Sequence, residues 1–248
     1  MSFFTALLYV ALAGIPPVIW IWYFNREDIH PEPKRDIVKS FALGAVLAPL
    51  ALLIENALPF SASPFLIKTF GQFLLIGVGV AFIEELTKYT SARIATFRNK
   101  DFSEPEDAMI YMITAALGFA FVENLFSILP ISAHSIPNAL AVITVRFFTA
   151  NLLHALSAGV VGYFWGISYR ERHRWVVIAE GIIAASFLHG LYNYIIMSIV
   201  SGAYAAIAWF LIGLAALLGV MLVLIYFGFK ELSTQHFTPR STPQHLNN

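Results

Sequence analysis

The chain has 248 residues, of which 58% are hydrophobic and 12% charged, with fifteen bases balancing fifteen acids. A water-soluble domain carries about 25% charged residues, so this composition excludes a soluble enzyme, a disordered chain and a nucleic-acid binder. Continuous apolar runs exclude a membrane β-barrel, and the absence of cysteine removes disulfides, thiolate metal sites and cysteine nucleophiles.

The pattern predicts an all-α fold, a polytopic transmembrane bundle in which runs of ~20 apolar residues cross the bilayer. Seven spans are expected near Phe3–Phe24, Ile37–Leu58, Leu66–Ala92, Ala108–Leu129, Ala139–Ser168, Val176–Val200 and Ala203–Phe229. The first lacks the basic start of a signal peptide and reads as a retained span. Residues 1–230 form one bundle on this reading, and the polar tail 231–248 is expected to be disordered. Basic residues collect in alternate breaks: Arg26, Lys34 and Arg35, then Arg93, Arg98 and Lys100, then Arg170, Arg172 and Arg174, with Lys230 and Arg240 after the last span. The other breaks hold only Lys68. This asymmetry places the N-terminus outside and the C-terminus in the cytoplasm.

Some charges do not lie in breaks. In the second span Glu55-Asn56 sits near the outer end and is the weaker candidate. The third span carries Glu84, Glu85 and Lys88, where the lysine is four and three residues from the two carboxylates and can pair with either. Adjacent carboxylates point about 100° apart on a helix, which suits two different tasks. The competing reading is an ion pair that reaches the cytoplasmic interface. Glu106 and Asp107 open the fourth span, where acids favour the helix dipole. Glu123-Asn124 lies a dozen or more residues deeper, after Ala115, Ala116, Gly118 and Ala120, whose small side chains admit a close neighbour.

The fifth span holds Arg146, Asn151 and His154, with Gly159, Gly162 and Gly166 as a packing face. The sixth holds His189 and Asn193, four apart on one face. Each charge at a helix centre costs roughly 2.5–3.5 kcal/mol on insertion scales. Five or six of them therefore require pairing, a wet cavity or both, and the default reading is a functional site. Glutamates, histidines and an asparagine at one depth fit water activation, with a carboxylate as base and polar groups stabilising the oxyanion. The same set fits zinc held by His154, His189 and Glu123, with water as the remaining ligand. The candidate ligands lie on different helices, so spacing leaves a zinc site and a metal-free glutamate–histidine site both open.

These residues also fall into motifs: E-E-x-x-K at Glu84 to Lys88, E-D-x-x-x-Y at Glu106 to Tyr111, and G-F-A-x-x-E-N at Gly118 to Asn124. An Arg-then-His span follows at Arg146 and His154, and H-G-x-x-N at His189 to Asn193. From Ala81 to Tyr194 the chain resembles the PrsW family of intramembrane proteases, distantly similar to CAAX prenyl endopeptidases and bacteriocin-processing proteins. The resemblance implies a multi-pass endopeptidase of a bacterial-type cell membrane, acting on a membrane-anchored protein such as an anti-sigma factor. By motif, Glu84 and Glu85 would be catalytic, with Glu123, His154 and His189 completing the site and Lys88, Asn124, Arg146 and Asn193 supporting it. The alternative is a proton- or ion-coupled transporter or channel using the buried Glu, Lys and His. Such proteins usually show broken helices or related halves, and the sequence signals neither. A bis-histidine haem would leave the glutamates unexplained, and the seventh span has no lysine for a retinal Schiff base.

Overall fold

A computed structural model describes residues 3–26, 30–58, 69–132, 135–200 and 207–234. Every regular element among them is helical: α1 (Phe3–Phe24), α2 (Lys34–Ala57), α3 (Phe70–Gln72) running through a π-helical segment (Phe73–Val78) into α4 (Gly79–Ala95), α5 (Asp107–Ser132), α6 (Ile136–Phe148), α7 (Ala150–Ser168), α8 (Arg174–Val200) and α9 (Ile207–Leu232). Six helical stretches are long and apolar enough to cross a bilayer, with α6 and α7 counted as one. The third expected span is the unbroken helical run 70–95, which carries Glu84, Glu85, Lys88 and Arg93. Lys68 and nearly all of the expected tail lie outside the described residues.

α5 is the axle of the bundle. From Ala108 to Ala120 it is buried on all sides, as expected of a helix with no polar face. α2, α7, α1, α6 and α4 all pack against it. The small residues foreseen on α5 are used as backbone contacts: a Cβ on Gly118 would overlap the Phe41 carbonyl, and one on Gly44 the Ala115 carbonyl. α2 and α5 therefore cross at backbone contact distance, and Ser40 adds a hydrogen bond to the Tyr111 carbonyl at 2.9 Å. The glycine face of α7 is divided, with Gly162 against Met109 of α5 and Gly159 against Ile225 of α9.

The basic breaks meet at one end. Arg35 reaches Asp101 at 3.4 Å and His30 reaches Glu104 at 3.0 Å, which joins the first break to the third. Phe102 stacks on Trp165 and lies against Tyr169, whose ring carries Arg174, which joins the third break to the fifth.

Two irregularities were not expected from the sequence. The third span contains the π-helical turn, and the fifth is broken at Thr149 (φ −119°, ψ −83°), where a continuous helix was expected. Polar groups exposed at the break are paired, as a membrane interior requires. The Phe147 carbonyl accepts from the Trp20 indole at 2.9 Å and the Arg146 carbonyl from the Asn151 amide at 2.9 Å.

Candidate active site

The π turn and α4 set the first wall. A π turn widens the helix by one residue and is frequent at functional sites. Here it lays Gly77 against Gly190 of α8, so closely that a Cβ on Gly190 would stand 2.9 Å from the Gly77 carbonyl carbon. His189, the neighbour of Gly190, is thereby brought onto the glutamates of α4. Its Nδ1 lies 2.8 Å from Glu85 Oε1 and its Nε2 3.7 Å from Glu84 Oε2.

Glu85 is the most heavily bonded group of the centre. Its Oε1 also accepts from Lys88 Nζ at 2.9 Å and Ser157 Oγ at 2.9 Å, while its Oε2 is buried without a partner. Lys88 donates a second, longer bond to Glu84 Oε2 at 3.3 Å and lies over the Phe119 ring. Lys88 is 0% exposed, so the ion pair is interior and does not reach the interface.

The opposite wall comes from α5, α6 and α7. Glu123 Oε2 accepts from Arg146 at 3.0 Å and lies 2.8 Å from His154 Nε2. Arg146 Nε donates to Asn124 Oδ1 at 2.7 Å, and the Asn124 amide donates to Asn151 Oδ1 at 3.0 Å. The break at Thr149 allows this, since Arg146 lies in the last turn of α6 and His154 near the start of α7, and both turn to one carboxylate. His154 Nδ1 is left buried with no partner.

The two imidazoles stand 5.2 Å apart between centroids and perpendicular. With Glu84 they offer three donor atoms within 4.8 Å of one another. Each imidazole has one nitrogen held by a carboxylate, His189 by Glu85 and His154 by Glu123. Histidines that ligate metals are held in this way, which fixes tautomer and ring orientation. The carboxylate of this trio is Glu84; Glu123, the carboxylate expected from the sequence, lies 2.8 Å from His154 Nε2.

The other expected residues divide. Asn193 is half-buried one turn beyond His189 and forms no hydrogen bond among the described residues. Glu55 is drawn in: its Oε1 is buried without a partner, and it lies within electrostatic range of Glu84, Glu123 and Lys88. Ser157 escaped sequence reading because a serine beside Gly159 looks like another small packing residue. Four carboxylates (Glu55, Glu84, Glu85, Glu123) face two fixed cations, Lys88 and Arg146. Away from the membrane centre, Asp107 Oδ2 ties the turn before α5 to the helix by accepting from the Ser103 and Glu104 amides at 2.7 and 2.8 Å. Burial raises the Glu106 carboxyl to about 7, and neighbouring Glu104 and Asp107 push the same way.

Residues 32–227 match a family model described as PrsW family intramembrane metalloprotease. Protease PrsW of Bacillus subtilis (strain 168) is 26% identical over 198 residues, covering 77% of this chain and 84% of that protein. Protease PrsW of Shouchella clausii (strain KSM-K16) is 27% identical over 198 residues, covering 76% and 84%. Protease PrsW of Clostridioides difficile (strain 630) is 28% identical over 191 residues, covering 75% and 78%. No solved structure matches. These relatives leave the transporter alternative without support.

Proposed function

The chain belongs to the PrsW family of intramembrane metalloproteases, and on that premise we propose that Glu84, His154 and His189 hold a divalent metal ion, zinc by donor chemistry, for hydrolysis of a peptide bond in a membrane protein. The observation that carries the reading is the orphaned His154 Nδ1, buried without a partner while its Nε2 is committed to Glu123, on a ring that belongs with Glu84 and His189 to one donor trio. A buried, unpaired polar atom costs about 1–3 kcal/mol, and an imidazole nitrogen without its proton is a ligand atom. Two imidazoles and a carboxylate are an established catalytic zinc set. The carboxylate excess over Lys88 and Arg146 suits a dication as well.

When bound, such an ion makes water nucleophilic near neutral pH and polarises the scissile carbonyl. The chain's own residues do the rest. Glu85, held by Lys88 and Ser157, fixes His189 with Nε2 facing Glu84. Glu123, held by Arg146, fixes His154 through Nε2 and leaves Nδ1 free to bind. Glu55 is the uncommitted carboxylate of the centre and takes the proton released by the attacking water, then returns it to the leaving amine. Glu84, Glu85, Lys88, His154 and His189 are buried, which strengthens the interactions among them.

Metal analysis of the purified full-length protein tests the reading. About one equivalent of zinc is expected, with loss on His154→Ala and His189→Ala, and a strong chelator should silence cleavage of a single-pass substrate. Cleavage that survives complete metal stripping would overturn it and return the site to a metal-free glutamate–histidine mechanism.

A further inference from the structure

α4 continues past the active site towards the basic end of the bundle. Glu85, Tyr89 and Arg93 follow one another at four-residue spacing on one face. Beyond Tyr89 that face opens on a cavity of about 450 Å³, lined by Tyr89, Thr90, Arg93, Ile94, Phe97 and Trp175. Tyr89 is 8% exposed, and its hydroxyl is buried with no hydrogen-bond partner. Buried phenols normally find an acceptor, so the wall is short of one.

The same cavity is short of an anion. Arg93 lies over the Trp165 ring at 5.1 Å and forms no ion pair among the described residues. Arg174 stands within electrostatic range of Tyr89 as a second cation. No lining residue is a carboxylate. At the rim, Phe97 and Trp175 are 67% and 70% exposed, next to the breaks whose basic residues mark the cytoplasmic side. Exposed aromatic rings at that level belong to the membrane–water interface.

We propose that this cavity binds the phosphodiester headgroup of an anionic phospholipid from the cytoplasmic leaflet. Arg93 and the Tyr89 hydroxyl donate to the phosphate oxygens, charge-assisted in the arginine case. Ile94, Phe97 and Trp175 cover the glycerol and the first acyl methylenes. An ammonium headgroup would meet Arg93 and Arg174 with no carboxylate to receive it, so phosphatidylglycerol is favoured over phosphatidylcholine. The bound lipid joins α4, which carries Glu84 and Glu85, to the start of α8, which carries His189.

Native mass spectrometry of the full-length protein, titrated with phosphatidylglycerol or phosphatidylcholine in detergent, tests the proposal. Phosphatidylglycerol should be retained about tenfold better, and Arg93→Gln should lower its retention about tenfold, the scale of one charge-assisted contact. Tyr89→Phe removes only the hydroxyl and should lower retention severalfold, which keeps the test decisive if Arg93→Gln does not fold. Millimolar inorganic phosphate should not displace the lipid. Equal retention of both lipids, unchanged retention in Tyr89→Phe, or displacement by inorganic phosphate would each overturn it, as would a peptide segment found in the cavity.

Discussion

His154 presents Nε2 to Glu123 at 2.8 Å and keeps Nδ1 buried and unpartnered. The carboxylate on one side therefore determines what the ring can offer on the other. Replacing Glu123 by Gln keeps the volume and removes the anion. Metal affinity and cleavage should both fall about 10–100-fold, the usual cost of losing such a partner. Titration of the apo-protein with zinc and the cleavage rate at saturating zinc separate the two effects; unchanged affinity would sink the orienting role.

Glu55→Gln distinguishes proton acceptance from structure. Cleavage should fall about 10²–10⁴-fold, the usual contribution of a general base, while zinc content and thermal stability stay at wild-type values. Cleavage within a few-fold of wild type would assign the proton to another group, with the free Oε2 of Glu85 next in line.

Lys88→Met leaves two buried carboxylates against no nearby lysine. Removing one partner of a buried pair costs about 3–5 kcal/mol, so the thermal transition in detergent should drop markedly. Adding Glu85→Gln to that variant should restore part of the loss, because one uncompensated charge goes with it. A single Lys88→Met variant as stable as wild type would mean the pair contributes nothing.

Glu106 gives the bundle a pH dependence of known sign. It is 3% exposed, one of its oxygens is buried without a partner, and its carboxyl is raised to about 7 in the folded state. The folded protein binds this proton more tightly than the unfolded chain does. The contribution is therefore complete below about pH 4.5 and is lost as pH rises through about 7. Stability profiles of wild type and Glu106→Gln should diverge across this window, with the variant flatter. Parallel profiles would refute the assignment.

The groups of the centre could be read in the sequence because an apolar helix makes every charge conspicuous. Glu84, Glu85, Lys88, Glu123, Arg146, His154 and His189 all converge, and the i,i+4 and i,i+3 pairing of Lys88 follows from helix geometry alone. Which carboxylate faces which nitrogen did not follow, because that depends on the rotation of α4 and α5 about their axes. The π turn and the break at Thr149 were hidden for a related reason. Neither contains proline, and each is met by a distant partner: Gly190 for the first and Trp20 for the second, where the nearby Asn151 amide adds a local bond. Glu55 looked peripheral by its place near a span end, yet its side chain returns inward along the stripe Ser40, Gly44, Ala48 and Ala51.

Neither imidazole receives its carboxylate from its own helix: His189 of α8 leans on α4, and His154 of α7 leans on α5. The centre consequently has no intact half. While the ribosome is still synthesising α8, His189 is absent, Glu85 lacks one of its three donors, and the donor trio is incomplete. With the site as proposed, the protease gains its last imidazole only when its penultimate helix docks.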